Sequence, residues 1–281
     1  MSDPVREFFI DQRIESYDKY VPDEWTAGFF KGVPEKSVLD QLLIDFVLAW
    51  RTTAYIAAMP ATMVKMVQAS TLGYAGHVSP DSSIMAFADG VLLKLSQKIP
   101  ELCDHRELKS RLVTELVSLA DDFRAARANV KPEMPIEPLW QDFLTQDAFY
   151  MTVSASQRVS YVAFYNAYEA FLVDCTKQAM GVDQLRATDS KFMEGLRSAF
   201  GADLTGPCWG RKEIQIGREV RHALSHAGGR ETEKLKKLKH GITLRGAVLQ
   251  IVPGDNHKLL QGLRTAVDAL VLVAAALPQF K

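Results

Sequence analysis

From Ser37 onward, large apolar residues recur three and four positions apart, and this spacing restricts the chain to a mostly helical fold. Leu39, Leu42, Leu43, Phe46, Val47 and Trp50, then Tyr55 and Ile56, mark one face of a long helix. The same period returns over 81–98 and over 104–129, where Leu108, Leu112, Val113, Leu116, Leu119, Ala120 and Phe123 form a stripe. It returns again over 152–180 through Tyr161, Phe164, Tyr165, Tyr168, Phe171 and Leu172. Alternation is confined to 242–252, which reads as two short strands turning near Arg245-Gly246. The pattern predicts an all-α chain, mainly a helical bundle, with one short β-hairpin near residues 242–252.

Punctuation divides this pattern. Ser37 suits a helix N-cap, with Asp40 three residues later in place of the usual Glu or Gln. Pro60 should kink or end the helix, which resumes over 62–69. Residues 73–80 read as a turn, and His77 within it as a solvent-facing loop histidine. Pro132, Pro135 and Pro138 crowd into 130–138, and proline disfavours helix both at itself and at the residue before it. The expected organisation is therefore a helical N-terminal region, 1–130, of unknown role, a Pro-rich linker, 131–138, and a helical domain, 139–281.

An acidic, aromatic arm (1–36) would pack on the body through Tyr17, Tyr20, Trp25, Phe29 and Phe30. After the linker come a short aromatic helix over 139–150 and the long helix over 152–180. Its tyrosines read as core, with hydroxyls at the rim. A helix over 189–200, a loop over 206–210 with Trp209 as an anchor, and a helix over 211–227 follow. Beyond the hairpin, Pro253-Gly254 breaks the second strand. Asp255 or Asn256 would then cap a last helix with Leu259, Leu260, Leu263, Val267, Leu270, Val271 and Val273 inside.

Composition narrows the function classes. Hydrophobic residues make up 47% and charged residues 24%, ordinary for a globular protein. A net charge of −1 argues against a nucleic-acid footprint spread over the whole chain. Locally, however, Arg211, Lys212, Arg218, Arg221, Arg230, Lys234, Lys236, Lys237, Lys239 and Arg245 outnumber Glu213, Glu219, Glu231 and Glu233. Such a field suits an RNA backbone or another polyanion, or else it is a solvated charged loop. Cys103, Cys175 and Cys208 are far apart and form no C-x-x-C pair, so neither a zinc site nor a disulfide framework is expected. The N-terminus lacks the pattern of a signal peptide, which makes the cytoplasm the expected compartment. No segment reads as a membrane span. Residues 42–59 come closest, interrupted by Asp45 and Arg51.

Side chains able to do chemistry concentrate in Arg218-Glu219-Val220-Arg221-His222-Ala223-Leu224-Ser225-His226. Ile216, Val220, Leu224 and Ala227 recur at helical spacing and should be the buried face. Gly228-Gly229 is the expected stop. At about 100° per residue, Arg218, His222, Ser225 and His226 share a polar face, with Arg221 on its flank. His226 falls in the last turn, where helix carbonyls favour positive charge.

Arg221-His222-Ala223-Leu224-Ser225-His226, followed by Ala227-Gly228-Gly229, resembles the signature of the HEPN superfamily, Arg-x4–6-His with a polar residue after the Arg. The aromatic helix around Tyr161–Leu172 resembles the first long helix of such domains, and the likeness covers the C-terminal half. The resemblance implies a helical bundle that homodimerises through its motif helices. In active members, an Arg/His pair forms a metal-independent endoribonuclease site that leaves 2′,3′-cyclic phosphate ends. Carried onto this chain, Arg221 and His226 would be the catalytic pair and His222 the accessory polar residue. Glu169 would be an acidic partner for Arg221, and Arg218, Ser225 and Arg230 would support the substrate. No metal and no cofactor is expected, and RNA is the expected partner. The resemblance also allows a toxin-like, toxin–antitoxin or antiviral defence role restrained by an inhibitory partner protein.

Other readings of the stretch stay open. Arg221 paired with Glu169 would hold two helices together in a non-catalytic module that binds RNA, a nucleotide or a partner protein. His222 and His226, four apart, suit a metal, but a zinc-protease helix would carry Glu where Ala223 stands, and no third ligand is evident. Ser225 lacks the strand-turn-helix elbow of a serine nucleophile.

Overall fold

The computed structural model describes residues 28–77, 106–127 and 136–281, together with Thr26 and scattered positions between 90 and 98. The helices are α1 (Val38–His77), α2 (Arg106–Arg127), α3 (Ile136–Thr145), α4 (Asp147–Met180), α5 (Ser190–Phe200), α6 (Ala202–Thr205), α7 (Lys212–His226), α8 (Glu233–Lys237) and α9 (Pro253–Ala274). Strands β1 (Thr243–Arg245) and β2 (Val248–Gln250) pair antiparallel, with Leu244 opposite Leu249. The fold is thus mainly helical with one hairpin. Gly246 at the first central position of the turn has φ 64°, as a two-residue II′-type hairpin requires.

The described residues fall into two units. One takes the residues up to Met63 with Trp140–Lys281, and the other takes those of Val64–Leu139. This redraws the expected boundary on its N-terminal side, because the first half of α1 belongs with the C-terminal domain. The reason lies in the aromatic residues. Phe46 stacks on Phe171 at 4.9 Å and Trp50 meets Phe164 edge-on at 5.2 Å, both pairs buried. Phe29, from a 3₁₀ turn before α1, closes over Phe46 and Trp50. Tyr17, Tyr20 and Trp25 of the expected arm lie outside the described residues.

A buried polar network joins three helices of the first unit. Gln157 of α4 donates to the Ala57 carbonyl of α1 at 3.1 Å. Asn256 of α9 donates to both the side-chain and backbone oxygens of Gln157, at 2.9 and 3.1 Å. Both residues are fully buried, so each bond replaces one lost to water.

Several local expectations change. Pro60 does not end α1, which runs through it to His77. Gln157 meets the Ala57 carbonyl beside the position where proline removes a ladder donor. Residues 73–77 are helical rather than a turn, because Gly73 and Gly76 each cost a helix only about 1 kcal/mol. His77 is therefore the last residue of α1. By length and composition Val38–Ser70 does reach what a membrane span needs, contrary to expectation. Leu39, Leu43, Phe46 and Trp50 of this stretch are nevertheless spent on the protein core.

In the second unit, α2 falls within the expected 104–129. Leu112, Val113 and Leu116 are half-buried, but Leu119 is 66% exposed and leaves the stripe. The positions described between 90 and 98 are helical, and the rest of the expected helix over 81–98 lies outside the described residues. The linker is shorter than expected. α3 begins at Ile136, and Pro138 sits in its first turn, where no donor is lost.

Ser37 caps α1 as expected, its Oγ accepting the Asp40 N–H at 3.1 Å. α4 starts at Asp147, earlier than expected. The Gly206–Gly210 loop is a single π turn, closed by Arg211 N–H donating to the Gly206 carbonyl at 2.8 Å. The last helix begins at Pro253, because proline fits the first helical position. Asp255 sits in the first turn, its carboxylate accepting the Val252 N–H at 3.1 Å. The tyrosine stripe of α4 is core, but not every hydroxyl is at a rim: Tyr168 donates to the Cys208 carbonyl inside the protein.

Candidate functional site

Helix α7 packs against α4 and α9, and its buried face is rotated from the expected one. Ile214, Gly217, Val220 and Ala223 are buried, whereas Ile216, Leu224 and Ala227 are only half-buried. Gly217 sets this rotation. A Cβ there would lie 2.8 Å from Leu259 Cδ1 and 2.9 Å from Tyr165 Cδ2. Only glycine lets the α4 tyrosine come so close to the α7 backbone. Gly217→Ala is expected to lower unfolding free energy by a net ~1–2 kcal/mol, overpacking outweighing the helix gain of alanine. Urea denaturation checks this, and a stabilised variant would contradict the packing.

The C-terminal end of α7 stops as expected. Gly228 and Gly229 have φ 60° and 77°, and Gly229 N–H turns back to the Ala223 carbonyl at 2.9 Å. The chain then docks on the hairpin. Leu249 N–H donates to the Gly229 carbonyl at 2.8 Å, and Glu231 N–H to the Ala247 carbonyl at 2.9 Å. Thr232 caps α8 by accepting the Leu235 N–H at 3.2 Å. The charged run after the motif is therefore anchored at both ends of its first half.

The rotation of α7 carries Arg221 toward α4. Its Nη2 donates to Glu169 Oε1, the partnership expected from the sequence. Its guanidinium carbon lies 5.6 Å from the Tyr165 ring centroid. Both members of the ion pair keep about a fifth of their side-chain surface exposed, at 20% each. Beneath them, Arg221 Nε and Tyr165 Oη are buried and paired with no described residue. Burial, and next the charge of Glu169, push the Tyr165 phenol well above its ordinary range.

The polar face divides into two groups. Glu169, Arg218, Arg221 and His222 line one cavity of about 170 Å³, with Trp209 and Lys234. Arg218 lies over the Trp209 ring at 4.8 Å, and Trp209 is itself buried against Phe192. Ser225, His226 and Arg230 are exposed and lie outside this cavity. Ser225 instead borders a groove shared with Arg158 and Val159 of α4. The link between the groups is the pair of imidazoles: His222 and His226, both exposed, have ring centroids 5.2 Å apart.

Three members of this site were not expected there. Tyr165 reads as core from the sequence, and it is buried, yet one face supports Arg221. The signal is the spacing of Tyr165 and Glu169, one turn apart on α4. Trp209, expected only as an anchor for the start of α7, and Lys234 come from other elements, and nothing in their local sequence aims them at the cavity that Arg218 and His222 line. Among the described residues no three His, Cys, Asp or Glu side chains gather closely enough to hold a metal ion, so the third ligand that His222 and His226 would need is not among them.

Chemically, the site offers an oriented cation beside an open cavity and two neighbouring imidazoles. That set can hold an anion and move protons. Comparison with known proteins finds no matching family model, no similar curated protein and no similar solved structure.

Proposed function

We propose that the chain is an endoribonuclease of the HEPN kind, cutting RNA without a metal through Arg221 and His226, with His222 between them. The observation that carries this reading is the arrangement of Arg221. Glu169 and the Tyr165 face aim it at a cavity that His222 also lines, and the His222 ring touches His226. An RNA 2′-hydroxyl would attack the adjacent phosphorus. One imidazole takes its proton, and the other protonates the departing 5′-oxygen. Arg221 offsets the charge that develops on the phosphate oxygens. The products are a 2′,3′-cyclic phosphate and a 5′-hydroxyl.

Arg221 and His226 diverge by about 140° around the helix, five residues at about 100° each. A second copy docking through its own α7 would bring its His226 toward this Arg221, so a homodimer is part of the proposal. Such a nuclease needs restraint in a cell. A partner protein covering the exposed imidazoles would provide it, in keeping with a toxin-like or defence role in the cytoplasm.

The test is cleavage of single-stranded RNA in EDTA by wild type, Arg221→Ala and His226→Ala. Cleavage that survives the chelator, leaves cyclic phosphate ends and falls at least about a hundredfold in both variants is the expected outcome. Cleavage retained by both variants would sink the proposal. One observation favours a second reading: Arg221 is already committed to Glu169. Folded wild-type protein that binds RNA without cutting it would establish a binding module.

A further inference from the structure

A larger cavity, about 550 Å³, opens on the other flank of α7 and shares no residue with the Arg221 site. Its walls are the start of α7, the strap 239–242 and the first half of α9. Its floor holds two buried polar groups with unused bonding capacity. Tyr161 is 2% exposed, and its hydroxyl is paired with no described residue. Asp255 is 8% exposed; Oδ2 accepts the Val252 N–H, and Oδ1 is paired with no described residue. Neither oxygen is sealed off from the cleft, so water or a ligand can complete both. Burial is the main reason the Asp255 carboxyl is pushed up to about 6, against the Val252 N–H bond and the charge of Lys258.

The rim is cationic. Arg211 is paired with Glu213 at 2.8 Å, whereas Lys212, Lys239 and Lys258 form no ion pair with a described residue. The strap is held rigidly. His240 Nε2 meets Glu231 Oε1 at 2.8 Å, and Nδ1 accepts the Ile242 N–H at 2.9 Å. His240 is thereby spent on structure. Lys239 beside it adopts φ 50°, a conformation lysine rarely takes, which fixes its place on the rim. Ile216 and Leu259 add apolar wall.

We propose that this cleft binds a small phosphorylated sugar, either free or as part of a nucleoside monophosphate. The lysine ammoniums take the phosphate, which gains charge-assisted bonds there. Asp255 Oδ1 accepts from sugar hydroxyls, and the Tyr161 hydroxyl completes the floor. The volume falls within the range of small-molecule sites. The site stands whether or not the Arg221 cavity cuts RNA.

Calorimetry on the full chain near neutral pH and low salt tests this with ribose 5-phosphate, AMP, ribose and inorganic phosphate. Saturable binding of ribose 5-phosphate or AMP is expected. Ribose should not bind, and inorganic phosphate should bind at least about tenfold more weakly. Tighter binding of AMP would identify the nucleotide as the source, and equal binding the sugar phosphate itself. The double variant Lys239→Ala/Lys258→Ala changes only exposed side chains and should keep its fold. It should lose about tenfold or more in affinity. Asp255→Asn should weaken binding too, provided its circular dichroism matches wild type. No binding of either phosphorylated probe by folded protein would overturn the proposal. So would affinity unchanged in the lysine variant, binding lost instead in Arg221→Ala, or inorganic phosphate binding as tightly as the sugar phosphates.

Discussion

Trp50→Ala is expected to lower the unfolding free energy of the unit it belongs to by about 3–5 kcal/mol. Trp50 is 1% exposed, and its ring lies 5.2 Å from Phe164, 5.3 Å from Phe46 and 6.3 Å from Phe29. Alanine would leave a void walled by three aromatic rings, and none of their helices can close in without losing contacts elsewhere. The same contacts predict the behaviour of a fragment. Residues 139–281 carry the whole motif and read as a domain in the sequence. Cut from α1, they would expose Phe164 and Phe171 and strand Gln157 without the Ala57 carbonyl. The fragment should show no cooperative urea transition. A peptide covering 28–63, added in trans, should restore one. A fragment that unfolds cooperatively with the stability of the full chain would show that α1 is dispensable, contrary to this packing.

The point at which that domain reading departs from the fold shows what sequence periodicity carries. Helical spacing located most of the helices and the hairpin, because large apolar residues at regular intervals must face one way. It did not say which helices share a core. Pro132, Pro135 and Pro138 are strong local punctuation, but Phe164, which ties Trp50 to α4, lies more than a hundred residues downstream. Small residues were the second blind spot. The buried face of α7 is built on Gly217 and Ala223 as much as on Ile214 and Val220, and glycine carries no apolar signal. Reading only Ile216, Val220, Leu224 and Ala227 rotated the helix. The partnership of Arg221 with Glu169 was legible all the same, because a carboxylate on an apolar face needs a cation and the motif supplied one. Pro60 reads as a kink or end of the helix, and Pro253 as the break after the second strand. One is bridged by helix that continues past it, and the other is a helix start. Both outcomes depend on neighbours that a local reading does not weigh.

Arg221→Ala is expected to cost about 1–3 kcal/mol in stability, because it leaves Glu169 charged, largely buried and unpaired beside the Tyr165 ring. On its own this loss would blur any reading of activity, since a destabilised nuclease also cuts poorly. Pairing Arg221→Met with Glu169→Leu separates the two effects. Replacing an ion pair by apolar side chains of similar size is often close to neutral, so this double variant should recover most of the lost stability. If Arg221 serves only to tie α7 to α4, the double variant should behave as wild type does toward RNA. If Arg221 stabilises charge on the phosphate, cleavage should stay absent at wild-type stability. Glu169→Gln completes the set. The amide oxygen still accepts from Arg221, so the guanidinium stays in place, and cleavage should survive in part. Urea midpoints measured beside cleavage rates for the four proteins would then assign Arg221 to packing or to chemistry. Loss of cleavage in every variant in proportion to its instability would return the residue to packing alone.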